Sequence, residues 1–205
     1  MAASPKIICI GLNYHDHALE QGAELPTEPL LFGKFASALI GPDEAIVLPP
    51  ESTHVDAEAE LAVVIGDEGR RVSEADALKL VAGYTVANDV TARDLQKSDG
   101  QWLRAKGFDT FCPLLPGVVP VSELGDGSGL RIVQRLNGEA LQDSSTSELI
   151  FGVPDCLAAY EALTARGAMF LTPPVTYDWE IRAFFRDPDG HLFEITERRS
   201  AGARP

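Results

Sequence analysis

Val55-Asp-Ala-Glu-Ala-Glu-Leu-Ala-Val-Val-Ile-Gly66 alternates over its first half and turns continuously apolar over its second. A period of two is the side-chain repeat of a β-strand. The stretch therefore predicts one strand over 55–66 with Glu58 and Glu60 on the same face. Two carboxylates side by side without a counter-charge repel, and buried together one of them must take up a proton. Two readings stay open. Glu58 and Glu60 occupy the solvated face of an edge strand, as most carboxylates do, or they are oxygen ligands of a hard divalent cation. Asp89 is the third candidate ligand, because it ends the apolar strand predicted over Val81–Asp89 just before a turn.

Working outward, Lys6–Gly11 reads as a buried strand that stops at glycine, and residues 13–22 as a polar helix stopped by Gly22. Prolines and glycines break up residues 24–50, leaving short strands near Leu30–Lys34 and Ala45–Leu48. Ser73 opens a helix over Ser73–Leu80, with Asp76 three residues on. Asp94–Asp99 reads as a short polar helix or loop. Leu130–Asn137 is a strand, Asn137-Gly138 a hairpin turn, and Glu139–Gln142 the return. The sequence holds no internal repeat and no heptad seam.

Two further groups carry chemistry. His17 and Glu20 are three residues apart, so on a helix they share a face. A carboxylate beside an imidazole fixes its tautomer and raises its basicity, as a general base requires; a plain surface pair is the other reading. His15 points elsewhere and reads as a bystander. Lys106 is flanked by Gly107 and aromatics, which suits a cation reaching a carbonyl or carboxylate in a dry pocket; a surface lysine is the alternative. Gly125–Gly129 lacks the Lys-Ser/Thr of a P-loop, and no Gly-x-Ser-x-Gly elbow is present, which argues against a serine hydrolase.

The chain of 205 residues has 45% hydrophobic and 23% charged residues and a formal net charge of −14. That balance fits a globular protein with one large domain, or one domain and an appendage. So acidic a surface repels phosphate backbones, so no nucleic-acid partner is expected. Three unpaired cysteines, Cys9, Cys112 and Cys156, speak against a disulfide framework and for a reducing compartment. The apolar run at Ile7–Ile10 is too short for a signal peptide or membrane span. A cytoplasmic protein without membrane contact is expected.

Taken in order, Ile8-Cys-Ile-Gly-Leu-Asn-Tyr-His-Asp-His17, Glu28-Pro-Leu-Leu-Phe32, Ala38-Leu-Ile-Gly-Pro42, Val55–Leu61, Ala82–Gln96, Lys106–Pro113 and Thr146-Ser-Glu-Leu-Ile-Phe151 resemble the fumarylacetoacetate hydrolase family. The resemblance covers residues 6–151. It implies that Glu58, Glu60 and Asp89 bind Mg²⁺ or Mn²⁺, that His17 and Glu20 form a dyad on a mobile lid, and that Lys106 binds substrate and a developing oxyanion. Gln96 falls at a substrate-contacting position. The implied substrates are short 2-oxo acids or diketo acids. The implied reactions are hydrolytic C–C cleavage, decarboxylation, hydration or isomerisation through a metal-stabilised enolate. The family generally dimerises, so a homodimer is expected.

After Phe151 the character changes. The family's Gly-Thr-Pro-x-Gly pocket-closing loop is missing. Residues 153–197 instead resemble the vicinal oxygen chelate proteins of the glyoxalase and bleomycin-resistance type, through Ala158–Pro174 and Ile181–Ile195. A helix is predicted over Asp155–Arg166 with Asp155 as cap, and two strands, Ile181–Phe185 and His191–Thr196, joined by the turn Asp187-Pro-Asp-Gly190. Glu194 matches a metal-ligand position of that superfamily, but a lone module is a half-site, so Glu194 reads as structural and His191 as a turn residue. The expected fold is α+β and strand-rich: a mixed β-roll over 1–151, then a βαβββ-like segment over 152–205. The leading function is a metal-dependent hydrolase or lyase on a 2-oxo or diketo acid. The alternatives are a catalytically impaired metal- or ligand-binding fusion, and a glyoxalase- or dioxygenase-like activity from paired C-terminal modules.

Overall fold

The computed structural model describes residues 6–69 and 72–158, and beyond them the backbone of four strands between 169 and 198. In chain order the strands are β1 (Ile7–Gly11), β2 (Leu30–Lys34), β3 (Leu39–Ile40), β4 (Val55–Asp56), β5 (Ala59–Ile65), β6 (Val81–Asn88), β7 (Thr91–Ala92), β8 (Cys112–Pro113), β9 (Val119–Pro120), β10 (Arg131–Leu136) and β11 (Glu139–Ser145). The short helices are α1 (His15–Gln21), α2 (Glu74–Ala77), α3 (Arg93–Asp99), α4 (Leu103–Lys106) and α5 (Val121–Leu124). The fold is α+β and strand-rich, as expected. It is assembled from small sheets, antiparallel except for the parallel pair of β3 with β8.

The stretch 55–66 is two strands, not one. β4 pairs with β7, while β5 pairs with β6 in a register that sets Ala59 opposite Asn88 and Glu60 opposite Ala87. Ala57 and Glu58 lie between them. The Glu58 N–H donates to the Asn88 side chain (3.0 Å), and the Glu58 carbonyl accepts from the Asp89 N–H (2.8 Å). A side chain thus takes the place of a ladder bond, and the chain swerves at the position where the first acid sits.

Two apolar clusters carry this framework. Val90, Ala92, Ala105 and Phe111 form one, with Val55, Leu95 and Phe108 against it. Its members alternate with Asp89, Thr91 and Lys106, so packing one face presents the polar residues on the other. The second cluster joins Val81, Tyr84 and Val153, with Leu61, Val63 and Leu157 packed on it.

Local expectations mostly hold, with shifts that have physical causes. Gly22 ends α1 at φ 62, where its N–H reaches the carbonyls of Ala18 and Leu19. Asn137 and Gly138 both take positive φ (51 and 89), the geometry of a tight hairpin, and β11 runs on to Ser145. The helix expected over Ser73–Leu80 stops after one turn and tightens into a 3-10 turn at Leu78–Leu80. The Ser73 hydroxyl donates to the Asp76 carboxylate (2.9 Å) and caps no backbone N–H. No strand forms over Ala45–Leu48.

Residues 153–158 are helical, starting before Asp155. Asp155 is therefore not the cap residue; its carboxylate reaches back to the Gly152 N–H (2.9 Å), the return half of a capping box. The rest of that predicted helix lies outside the described residues. Further on, β12 (Met169–Phe170) and β13 (Val175–Thr176) pair along β14 (Glu180–Arg186), which also pairs with β15 (Leu192–Arg198), all antiparallel. The turn Asp187–Gly190 and His191 lie outside the described residues.

Gly83 is required where β6 meets β9. A Cβ there would stand 2.1 Å from the Val119 carbonyl oxygen, whereas one at Gly33 meets nothing nearer than 3.4 Å. Gly83→Ala should therefore cost about 1–3 kcal/mol from overpacking, and Gly33→Ala much less. Denaturant midpoints of the two variants check this; equal midpoints would show that β9 yields freely.

Candidate active site

Asp89 follows β6 directly and is buried, 7% exposed. Two ammonium groups converge on it. Lys106 Nζ lies 2.7 Å from Asp89 Oδ2, and Lys34 Nζ lies 2.7 Å from Oδ1. Lys106 also donates to Glu58 Oε2 (3.0 Å) and Thr91 Oγ1 (2.8 Å), and stands 5.1 Å from the centre of the Phe32 ring. Its three protons are all engaged. Lys34 is buried too; besides Asp89 it meets the backbone carbonyls of Val90 (3.2 Å), Phe111 (2.9 Å) and Lys106. Glu58 is held from its other side by Arg93, whose Nη2 lies 2.6 Å from Oε1. Arg93 Nη1 donates to Gln96 Oε1 (3.0 Å), and its Nε to Asp56 (2.8 Å).

Glu60 is half-buried. Its carboxyl is pushed up to about 8, first by burial and then by the charges of Glu58 and Asp89, with Lys106 pulling the other way. The acids expected to lie together therefore influence one another electrostatically, but they do not close a ligand cage. Among the described residues no three His, Cys, Asp or Glu side chains are placed to hold a metal ion, because the Lys106 ammonium stands between Glu58 and Asp89. On donor chemistry the residues do fit a hard divalent cation. All three are carboxylates, and among the described residues no cation pairs with Glu60 and the buried Asp89 Oδ1 makes no hydrogen bond despite its ion pair with Lys34.

His17 and Glu20 face each other on α1 as their spacing requires, with Nδ1 3.6 Å from Oε2, and both are exposed. His17 Nε2 lies 2.7 Å from Gln21 Nε2. The helix is tied in at its start. Asn13 exchanges two hydrogen bonds with the Phe151 backbone (3.0 and 2.9 Å), and Asp16 accepts from Ser144 Oγ (2.5 Å). The Tyr14 hydroxyl is buried without a hydrogen-bond partner among the described residues. Burial also pushes the thiols of Cys9 (to about 12) and Cys156 (to about 11) up, so neither is a thiolate nucleophile at neutral pH. A shallow depression of about 340 Å³, lined by Phe35, Val47, Gly107 and Phe108, opens beside Lys106's neighbour, and none of Glu58, Glu60 or Asp89 lines it.

Lys34, Arg93 and Thr91 are the site residues that sequence reasoning missed. Lys34 carries the signal that singled out Lys106: Phe32-Gly-Lys-Phe35 also sets a lysine between glycine and aromatics. Arg93 and Thr91 offered none, since an exposed helix start is the commoner place for such residues.

The family model described as fumarylacetoacetate (FAA) hydrolase C-terminal matches residues 6–167. A rat relative, "Oxaloacetate tautomerase Fahd2a, mitochondrial", is 49% identical over 154 residues, 75% of this chain and 49% of its own length. The chain thus spans about half the length of the curated relatives it matches. Among solved structures, 5-carboxymethyl-2-hydroxymuconate delta-isomerase from Mycobacterium smegmatis is similar at 35% identity and a TM-score of 0.69, over 92% of this chain and 76% of that one. A fumarylacetoacetate hydrolase family protein from Yersinia pestis matches at 29% identity and a TM-score of 0.72, over 97% and 95%. No helix among the described residues is long and apolar enough to cross a membrane.

Two measurements test the charge balance. Lys34→Met leaves Asp89 facing one cation fewer and three carbonyls without their donor, so it should destabilise by about 3–5 kcal/mol. Asp89→Asn in that background should recover part of the loss; a Lys34→Met protein as stable as wild type in denaturant would refute the assignment. For Glu60 the ordinary value is 4.5. Between about 4.5 and about 8 the folded, metal-free protein keeps a proton that the unfolded chain has released. Its contribution is full below 4.5 and is lost as pH rises through 8. Melting temperature in chelator should fall across that window, and Glu60→Gln should flatten the fall; an unchanged slope would exclude Glu60 as its source.

Proposed function

The chain belongs to the fumarylacetoacetate hydrolase family, and we propose that it is a divalent-metal-dependent enzyme acting on a short 2-oxo acid or diketo acid. The observation that carries this reading is the cluster in which Glu58 and Asp89 share Lys106 while, among the described residues, no cation pairs with Glu60. Among the implied reactions we favour proton transfer next to the 2-oxo group, that is tautomerisation or isomerisation. The matched relatives bear the names of an oxaloacetate tautomerase and a delta-isomerase. C–C cleavage and decarboxylation share the same enolate and stay as alternative outcomes.

Mg²⁺ or Mn²⁺, held by Glu58, Glu60 and Asp89, would supply a compact double charge for the substrate's carboxylate and 2-oxo oxygens and for the charge that develops between them. The chain's own residues do the rest. Lys106 offers a desolvated ammonium to a developing oxyanion, a role for which it must release one of the acids it now bonds. Arg93, with Gln96 steering its guanidinium, would meet a substrate carboxylate. His17, oriented by Glu20, moves the proton. A metal- or ligand-binding protein without turnover is the second reading, and one observation favours it: every Lys106 proton is already engaged.

We keep three finer points as proposals. The C-terminal segment over 152–205 follows a βαβββ-like plan, supported by the antiparallel pairing of β14 with β15. A glyoxalase-like activity would need Glu194 and two copies paired. The protein works as a homodimer in a reducing compartment, in keeping with its three free thiols.

Calorimetric Mn²⁺ titration with and without oxalate, on wild type and Glu58→Gln, tests the metal centre. Wild type should bind Mn²⁺ more tightly with oxalate present, and Glu58→Gln should lose binding. His17→Ala should bind Mn²⁺ as wild type does while ketonising enol-oxaloacetate about 10²–10⁴-fold more slowly. Loss of Mn²⁺ binding in His17→Ala would overturn the assignment of roles. Tight Mn²⁺ binding without turnover of any 2-oxo acid would select the second reading.

A further inference from the structure

Gln142 on β11 holds the backbone between the two glutamates. Its Nε2 donates to the Ala59 carbonyl (2.8 Å), and its Oε1 accepts from the Ala59 N–H (3.0 Å). On the opposite edge Ala59 pairs with Asn88. The Gln142 amide therefore stands where a further strand would place a peptide group, and it fixes the one residue whose neighbours are Glu58 and Glu60. Two residues on, and so on the same face of β11, Ser144 Oγ donates to Asp16 Oδ2 (2.5 Å). The other oxygen of Asp16 accepts from the His17 N–H (2.8 Å).

We propose that Gln142 and Ser144 are positioning residues, through which one strand sets the acid pair and the His17 helix at a fixed separation. The inference rests on the reading of Glu58 and Glu60 as ligands and of His17 as the proton-transfer group. Neither Gln142 nor Ser144 touches the reacting atoms. Gln142 acts on where the two carboxylates stand, and Ser144 on where the imidazole stands. The strand is thus pinned at two points one repeat apart, each holding one of the two groups. The hairpin's own register is closed by Asn137-Gly138 and by the pairing of β10 with β11.

The two contacts make different demands and are tested separately. Gln142→Ala should speed exchange of the Ala59 amide proton, read by NMR in the metal-free protein, and weaken Mn²⁺ binding about 10–100-fold by calorimetry. Gln142→Met, which keeps the side chain's bulk, should do the same and carries the test if the alanine variant does not fold. Ser144→Ala should leave the Mn²⁺ affinity within about twofold while lowering kcat by about 10–100-fold. A merely structural role would lower the melting temperature of both variants and leave the metal affinity of the folded protein unchanged. Wild-type Mn²⁺ affinity in folded Gln142→Met, with Glu58→Gln binding none, overturns the proposal and spares the ligand assignment. Wild-type affinity in Glu58→Gln itself overturns the ligand assignment, and with it the proposal. Equal loss of Mn²⁺ affinity in Ser144→Ala and Gln142→Met would overturn the separation of the two roles.

Discussion

A lysine ammonium buried to 1% exposure is costly to take out of water, and the way Lys34 is satisfied organises the centre of this fold. Its partners come from separate places: the ion-paired Asp89 carboxylate and the Val90 carbonyl after β6, the Lys106 carbonyl at the end of α4, and the Phe111 carbonyl before β8. These three segments have few regular backbone bonds of their own, since α4 is a single turn and β7 and β8 are two residues each. One cation therefore does what a ladder does elsewhere. It gathers otherwise loose carbonyls and places Asp89 and Lys106 against each other. The apolar cluster of Val90, Ala92, Ala105 and Phe111 beneath excludes water from the arrangement.

The placement of the cations makes the three acids inequivalent. Asp89 lies between two ammonium groups, and Glu58 between Lys106 and Arg93. Glu60 is held protonated up to about 8, first by its burial and then by the field of its two acidic neighbours, with only the distant help of Lys106 against them. Three acids and three cations balance in number but not in place. An added divalent charge would meet its strongest demand at Glu60, and it would free Lys106 from acids that it now neutralises. The proposed 2-oxo-acid substrate would need both of these changes, because it would bring further negative charge to the same spot.

Much of this was legible in the sequence because period and spacing are local. The alternation at Val55–Gly66 and the end of the apolar run at Asp89 put the acids near one another, and the three-residue interval put Glu20 beside His17. What failed to show depends on contacts between distant segments. The break between β4 and β5 is made by the Asn88 side chain, thirty positions away. Gln142 meets Ala59 across eighty-three. Lys34 looked like an ordinary strand-end lysine, although its Phe-Gly-Lys-Phe setting repeats the glycine-and-aromatic flank that drew attention to Lys106. The helix at Ser73 starts where expected but tightens after one turn into the 3-10 turn at Leu78–Leu80.

The change of character after Phe151 falls at a place the fold treats as continuous. Asn13 bonds both backbone groups of Phe151, Tyr14 bridges to Leu149, and Val153 and Leu157 pack with Val81 and Tyr84. Leu12 stands at φ 48, a conformation that costs a side-chain-bearing residue about 1–3 kcal/mol. The Asn13 bonds to Phe151 hold it there. The entry angle of the His17 helix is thus set partly by residues near 151. Residues 152–158 complete the core beneath Tyr84, whose neighbour across β5–β6 is Val63, three residues from Glu60. A substitution at the junction would therefore reach the acid cluster and the His17 helix through packing alone. Val153 and Leu157 thus tie the chain beyond Phe151 to the scaffold that carries the acid cluster.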